Sequence, residues 1–107
     1  MTNESDILQI SVQHPRLDAA ASPAFRQEVA GRFEGQPERV LLDLRQVEFI
    51  DSTGLGVLVS LLKQMGPGGK VAVAGANAAV RRLFQITRLD SLFLLCDSTD
   101  EAHAALA

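Results

Sequence analysis

The segment from Val40 to Gly56 constrains this chain more than any other. Val40 to Leu44 is apolar except for Asp43, with Val40, Leu42 and Leu44 on one face, and reads as a central strand. Val47, Phe49 and Ile50 carry the apolar stretch past the polar pair Arg45-Gln46. At Asp51-Ser52-Thr53-Gly54-Leu55-Gly56 the period changes: from there Leu55, Leu58, Val59, Leu62 and Met65 follow helical spacing, and Gly66-Pro67-Gly68-Gly69 stops the helix. A strand that feeds a helix in this way is the building unit of α/β layer folds.

The rest of the chain continues the alternation. Ile7 to Val12 reads as a half-buried strand with Leu8, Ile10 and Val12 inward. His14-Pro15 interrupts it, and Arg16-Leu17-Asp18 forms either a short second strand or a turn. Ser22-Pro23 is a helix start, with the serine accepting from the free N–H groups and the proline fitting the first helical position. Phe25, Val29 and Phe33 mark its buried stripe, and Gly35 and Pro37 end it. Val71 to Ala74 is a strand of small residues closed by Gly75. Asn77 caps a third helix that buries Val80, Leu83 and Phe84. Leu92 to Leu95 is a last buried strand reaching Cys96. Ser98-Thr99-Asp100-Glu101 is a capping box that opens a final helix with Ala102, Ala105 and Leu106 inward. Strand and helix thus alternate, which predicts an α/β fold with mostly parallel pairing. The 107 residues suit a single domain, 1–107, with no internal repeat or linker.

Composition excludes several functions. The net charge is -3 and the basic residues are dispersed, so no basic face for direct nucleic-acid binding is expected. Without Trp or Tyr, stacking platforms for bases or sugars are not expected either. Cys96 is the one cysteine and cannot form an internal disulfide. Met1 to Asp6 is polar and acidic, unlike a signal peptide, and no apolar run approaches the ~20 residues of a membrane span. The expectation is a soluble cytoplasmic protein with no membrane span.

Asp51 to Gly56 lies at the carboxyl end of a central strand, where α/β folds concentrate function. The sequence puts Ser52 at the helix N-cap, with Gly54 and Gly56 allowing close backbone approach. The bland alternative is a capping serine and two packing glycines. Enzyme readings fail on the residues. A nucleophile elbow wants Gly two positions before Ser52, where Ile50 stands, and the histidines, His14 and His103, sit after the first strand and in the last helix. Gly54-x-Gly56 lacks the third glycine of a dinucleotide fingerprint, since Val59 occupies that position. Gly66 to Lys70 leads from helix into strand, the reverse of a phosphate loop. No metal-ligand spacing is present, and Cys96 reads as inert core. No catalytic residue, metal or cofactor is expected.

Phe49-Ile50-Asp51-Ser52-Thr53-Gly54-Leu55-Gly56-Val57-Leu58 resembles the signature of the STAS family, the sulphate transporter and anti-sigma factor antagonist domains. Arg16-Leu17-Asp18, followed by Ser22-Pro23, is similar to the family's early Leu-Asp segment, and Arg39 to Leu44 to its strand before the signature. The chain departs from the pattern at Pro15-Arg16, where many relatives have Gly. The resemblance implies a STAS-type mixed, mostly parallel sheet flanked by about four helices. It implies phosphorylation at Ser52, beside the acids Asp51 and Asp18, with Thr53 as the neighbouring hydroxyl. The partner surface would comprise Asp18, Asp51, Ser52, Thr53, Gly54, Leu55 and Gly56. The implied function is that of an anti-sigma factor antagonist. Unphosphorylated, it binds an anti-sigma factor with serine kinase activity and frees the sigma factor. The kinase switches it off at Ser52, and a PP2C-type phosphatase resets it. Two alternatives stay open: a scaffold or transporter-associated subunit of the same family acting as an interaction module, and a small enzyme using Asp51 and Ser52.

Overall fold

The computed structural model describes residues 7–33 and 37–107. The strands are β1 (Ile7–Ser11), β2 (Arg16–Leu17), β3 (Arg39–Asp43), β4 (Phe49–Ile50), β5 (Lys70–Ala74) and β6 (Phe93–Cys96). The helices are α1 (Ser22–Ala30), α2 (Ser52–Lys63), α3 (Ala78–Ile86) and α4 (Thr99–Leu106). The main sheet has the order β1-β3-β5-β6, and every ladder among the described residues is parallel. The expected α/β architecture, a mostly parallel sheet with four helices, is what forms.

The central strands explain the packing. Val40, Leu41 and Leu42 in β3, and Val71 to Ala74 in β5, have no exposed surface, as strands covered on both faces require. One face carries the larger core, where Phe25 and Val29 of α1, Leu55, Leu58 and Leu61 of α2, and Val80 and Phe84 of α3 meet. Phe84 also stands edge-on to Phe93 of β6, with ring centroids 5.3 Å apart. The other face carries α4, the one helix there among the described residues, with Ala102 and Leu106 against Leu41, Ala72, Ala74 and Cys96. Ala105, expected inward, is exposed, because an eight-residue helix on a surface of small side chains buries only a narrow stripe.

The segment Arg16-Leu17-Asp18 is strand and turn together. Arg16 and Leu17 pair with Phe49 and Ile50 in a separate two-residue ladder, and Asp18 begins the turn into α1. Ser22 does not cap α1. The N-cap is Ala21, and the buried Ser22 hydroxyl donates to the Asp18 carbonyl at 2.7 Å. The Asp18 carboxylate accepts from the amides of Ala20 and Ala21, both at 3.1 Å, which braces the turn before α1, and the helix start has no side-chain cap. The helix ends at Ala30, and Phe33 lies beyond it, although still buried. Gly35, expected as a helix stop, lies outside the described residues.

The cap of α3 is as expected, while α4 shows one half of its expected capping box, with no bond from the Glu101 side chain to the Ser98 amide among the described residues. Asn77 accepts from the Val80 amide at 2.8 Å, and Ser98 from the Glu101 amide at 3.1 Å. The last strand begins at Phe93 and is not a buried strand. Leu92 is 55% and Leu94 40% exposed, because β6 is an edge of the sheet. Asp43 is buried rather than solvent-facing, and its carboxylate is met by the Arg45 guanidinium at 2.7 Å. That pair keeps the Asp43 carboxyl below the ordinary carboxylate range.

Candidate functional site

The site is built where two short elements meet the start of α2. The Leu17 carbonyl accepts from the Asp51 amide at 3.1 Å, which extends the β2–β4 ladder by one bond. Leu17 stands opposite Ile50 in that ladder, so the next residues, Asp18 and Asp51, leave it side by side. Asp51 is extended, with φ -103° and ψ -175°. Its side chain accepts from the Gly54 amide at 3.0 Å, and its carbonyl from the Leu55 amide at 2.9 Å. Asp51 is therefore the N-cap, and Ser52, expected there, is the first helical residue. The reason is competition: a carboxylate beside the positive end of the helix is a better acceptor than a hydroxyl. Ser52 and Thr53 are both exposed, and their amides meet no acceptor among the described residues.

The two glycines separate in role. A Cβ on Gly54 would drive into the Leu17 carbonyl, so this position needs glycine for α2 to seat against β2. A Cβ on Gly56 would meet nothing within 4 Å. The expectation of close backbone approach therefore holds within the fold for Gly54 and not for Gly56. Gly56 is exposed and four residues after Ser52, on the same helix face. Leu55 is buried in the core. Of the seven candidate residues, Asp18, Asp51, Ser52, Thr53 and Gly56 reach the surface, while Gly54 and Leu55 lie beneath it.

The acids give the surface its charge. The Asp18 carboxyl is held below its ordinary range, first by the Ala21 amide and further by Arg16 and Ala20. Sequence reasoning missed two neighbours. The Arg16 guanidinium lies 4.4 Å from the centre of the Phe49 ring and 3.5 Å from the Asp18 carboxylate. Phe49 itself is 40% exposed and borders a depression of about 220 Å³ walled by Glu48, Ala79 and Leu83. Alternation in β4 was the available signal, since Ile50 inward puts Phe49 outward.

The other flagged residues do not join the site. His14 pairs with Glu28 at 2.9 Å and His103 with Gln9 at 3.2 Å, so neither engages Ser52. Burial raises the pKa of the Cys96 thiol, which keeps it protonated. Among the described residues, no three His, Cys, Asp or Glu side chains are grouped to hold a metal, and no helix is long and apolar enough to cross a membrane.

The model of the STAS domain family matches residues 1–102. The chain belongs to the STAS family. A Thermotoga maritima STAS relative named as an anti-sigma factor antagonist is 38% identical over 99 residues, 91% of this chain and 88% of that protein. A Thermotoga neapolitana relative named likewise is 42% identical over 65 residues, spanning 60% of this chain and 58% of its own length. The crystal structure of an anti-sigma factor antagonist from Mycobacterium paratuberculosis superposes with a TM-score of 0.86 at 28% identity, covering 98% of this chain and 89% of that one.

Proposed function

We propose that this STAS chain is a cytoplasmic anti-sigma factor antagonist, a single domain over 1–107, whose grip on its partner is set by phosphorylation of Ser52. One observation carries the reading. The Ser52 hydroxyl is exposed at the first position of α2, while Asp51 does the capping. A phosphate can therefore be added without breaking a hydrogen bond that the fold uses. It brings about -1.5 to -2 charges at neutral pH. The open amides of Ser52 and Thr53 and the helix dipole tolerate that charge within the chain. A partner fitted to a neutral hydroxyl beside Asp18 and Asp51 does not.

Gly56 supports the same reading. Glycine inside a helix costs about 0.5–1 kcal/mol relative to alanine, and nothing within this fold requires it there. Close approach of another molecule to the Ser52 face accounts for it. The partner in this proposal is an anti-sigma factor that is also an ATP-dependent serine kinase, and a PP2C-type phosphatase reverses the modification.

The test is capture from the native host with wild type, Ser52→Ala and Ser52→Asp as baits, followed by affinity measurement on the captured kinase. Wild type and Ser52→Ala should bind alike, and Ser52→Asp about 100-fold more weakly, a loss of about 2.7 kcal/mol. Thermal stability should be the same in all three. Equal retention of a transporter or scaffold subunit by all three baits overturns the anti-sigma reading. Phosphate incorporated at Thr53 of Ser52→Ala overturns the choice of hydroxyl.

A further inference from the structure

The two edges of the main sheet are not alike. At the β1 edge, the Gln9 carbonyl accepts from the Arg32 guanidinium at 2.9 Å. At the β6 edge, the four residues Phe93-Leu94-Leu95-Cys96 include no charge and no proline, two of the devices that blunt an exposed strand. The Cys96 carbonyl accepts from the Gly75 amide and so points into the sheet. Alternation along the strand then turns the peptide groups of Phe93 and Leu95 outward. Among the described residues they have no backbone partner outside the sheet. A groove of about 420 Å³ is lined by this strand together with Asp90, which precedes it, and Glu101 and Ala105 of α4, which follows it. Leu94 is 40% exposed within it. The nearby Arg81 is already paired with Asp97 at 3.1 Å.

We infer that the β6 edge is a second docking site, separate from the Ser52 surface, for an extended segment of a partner in which apolar and cationic side chains alternate. Backbone bonds to Phe93 and Leu95 would add it as a fifth strand of the main sheet. Its apolar side chains would cover Leu94, and its cations would meet Asp90 and Glu101. The same charges select against a second copy of this chain. Antiparallel pairing of two β6 strands about a two-fold axis sets the Asp90 end of each against the Glu101 end of the other, like charge on like.

The experiment titrates isotope-labelled protein, followed by amide NMR, with a synthetic peptide of alternating valine and lysine and with its valine–glutamate counterpart. The lysine peptide should shift the Phe93 and Leu95 amides and leave those of Ser52 and Thr53 in place. The double variant Asp90→Lys with Glu101→Lys should weaken that binding by about tenfold and admit the glutamate peptide. Leu94→Lys, at an exposed position, should weaken both without loss of fold. No shift at β6, equal response to both peptides, or shifts confined to the Ser52 face overturns the inference. Concentration-dependent dimerisation with protected Phe93 and Leu95 amides overturns it in favour of a second copy.

Discussion

The first turn of α2 has two sides made from adjacent residues, and they obey different rules. On the inward side, Asp51 caps the helix and Gly54 lies against the Leu17 carbonyl. A single carbon added at Gly54 does not fit there. On the outward side, Ser52, Thr53 and Gly56 are exposed, and the amides of the first two are open among the described residues. The fold asks nothing of those side chains. A short motif can therefore combine a rigid mount with a surface free to be modified, provided that successive residues face opposite ways.

That division can be broken most severely at Gly54. Gly54→Ala should cost about 3 kcal/mol and lower Tm by more than about 10 °C, because the obstacle is backbone and cannot swing aside. A variant that melts like wild type would mean that β2 and α2 separate easily, and the inward side would lose its claim to rigidity. Asp51→Ala comes next. Loss of the cap should cost about 1 kcal/mol in denaturant unfolding, and Asp51→Ser should restore most of it. If alanine costs nothing, Asp51 belongs functionally to the outward side.

Gly56→Ala sharpens the contrast from the other direction. It should stabilise the fold by about 0.5–1 kcal/mol, since space is open and helix propensity improves. The same variant should bind the proposed anti-sigma factor partner less well. Stabilisation without loss of affinity would leave Gly56 unexplained. The smallest effect concerns Asp18, which braces the loop beside the turn. Its folded pKa is lowered, so its contribution is present above the ordinary carboxylate pKa of about 3.9 and is lost as pH falls through the folded value. Asp18→Asn should therefore flatten the pH dependence of stability below about pH 4 and leave it unchanged at neutrality. An unchanged acid limb would show that the Ala20 and Ala21 amides do not depend on that charge.

The α/β class, the four helices and the parallel pairing were legible in the sequence, because buried strands and amphipathic helices write their periods into neighbouring residues. The signature from Phe49 to Leu58 was legible for the same reason, since it lies within one strand-to-helix junction. Capping was legible at Asn77 and Ser98 and misread at the starts of α1 and α2. At Asp51-Ser52 the carboxylate took the amide, while Ser22 entered α1 and left its start without a side-chain cap, and both outcomes depend on where the backbone aims the groups. The role of Gly54 was set by Leu17, a residue 37 positions earlier that only the β2–β4 ladder brings close. The freedom of Gly56 and the openness of the β6 edge are likewise properties of what lies nearby in space. Sequence alone determined the four helices and the four strands of the main sheet, through local period and turn chemistry, while the β2–β4 ladder formed only by pairing distant segments. Tertiary structure decided which residues of those elements are held and which are left for a partner, because contact between distant segments has no local signal.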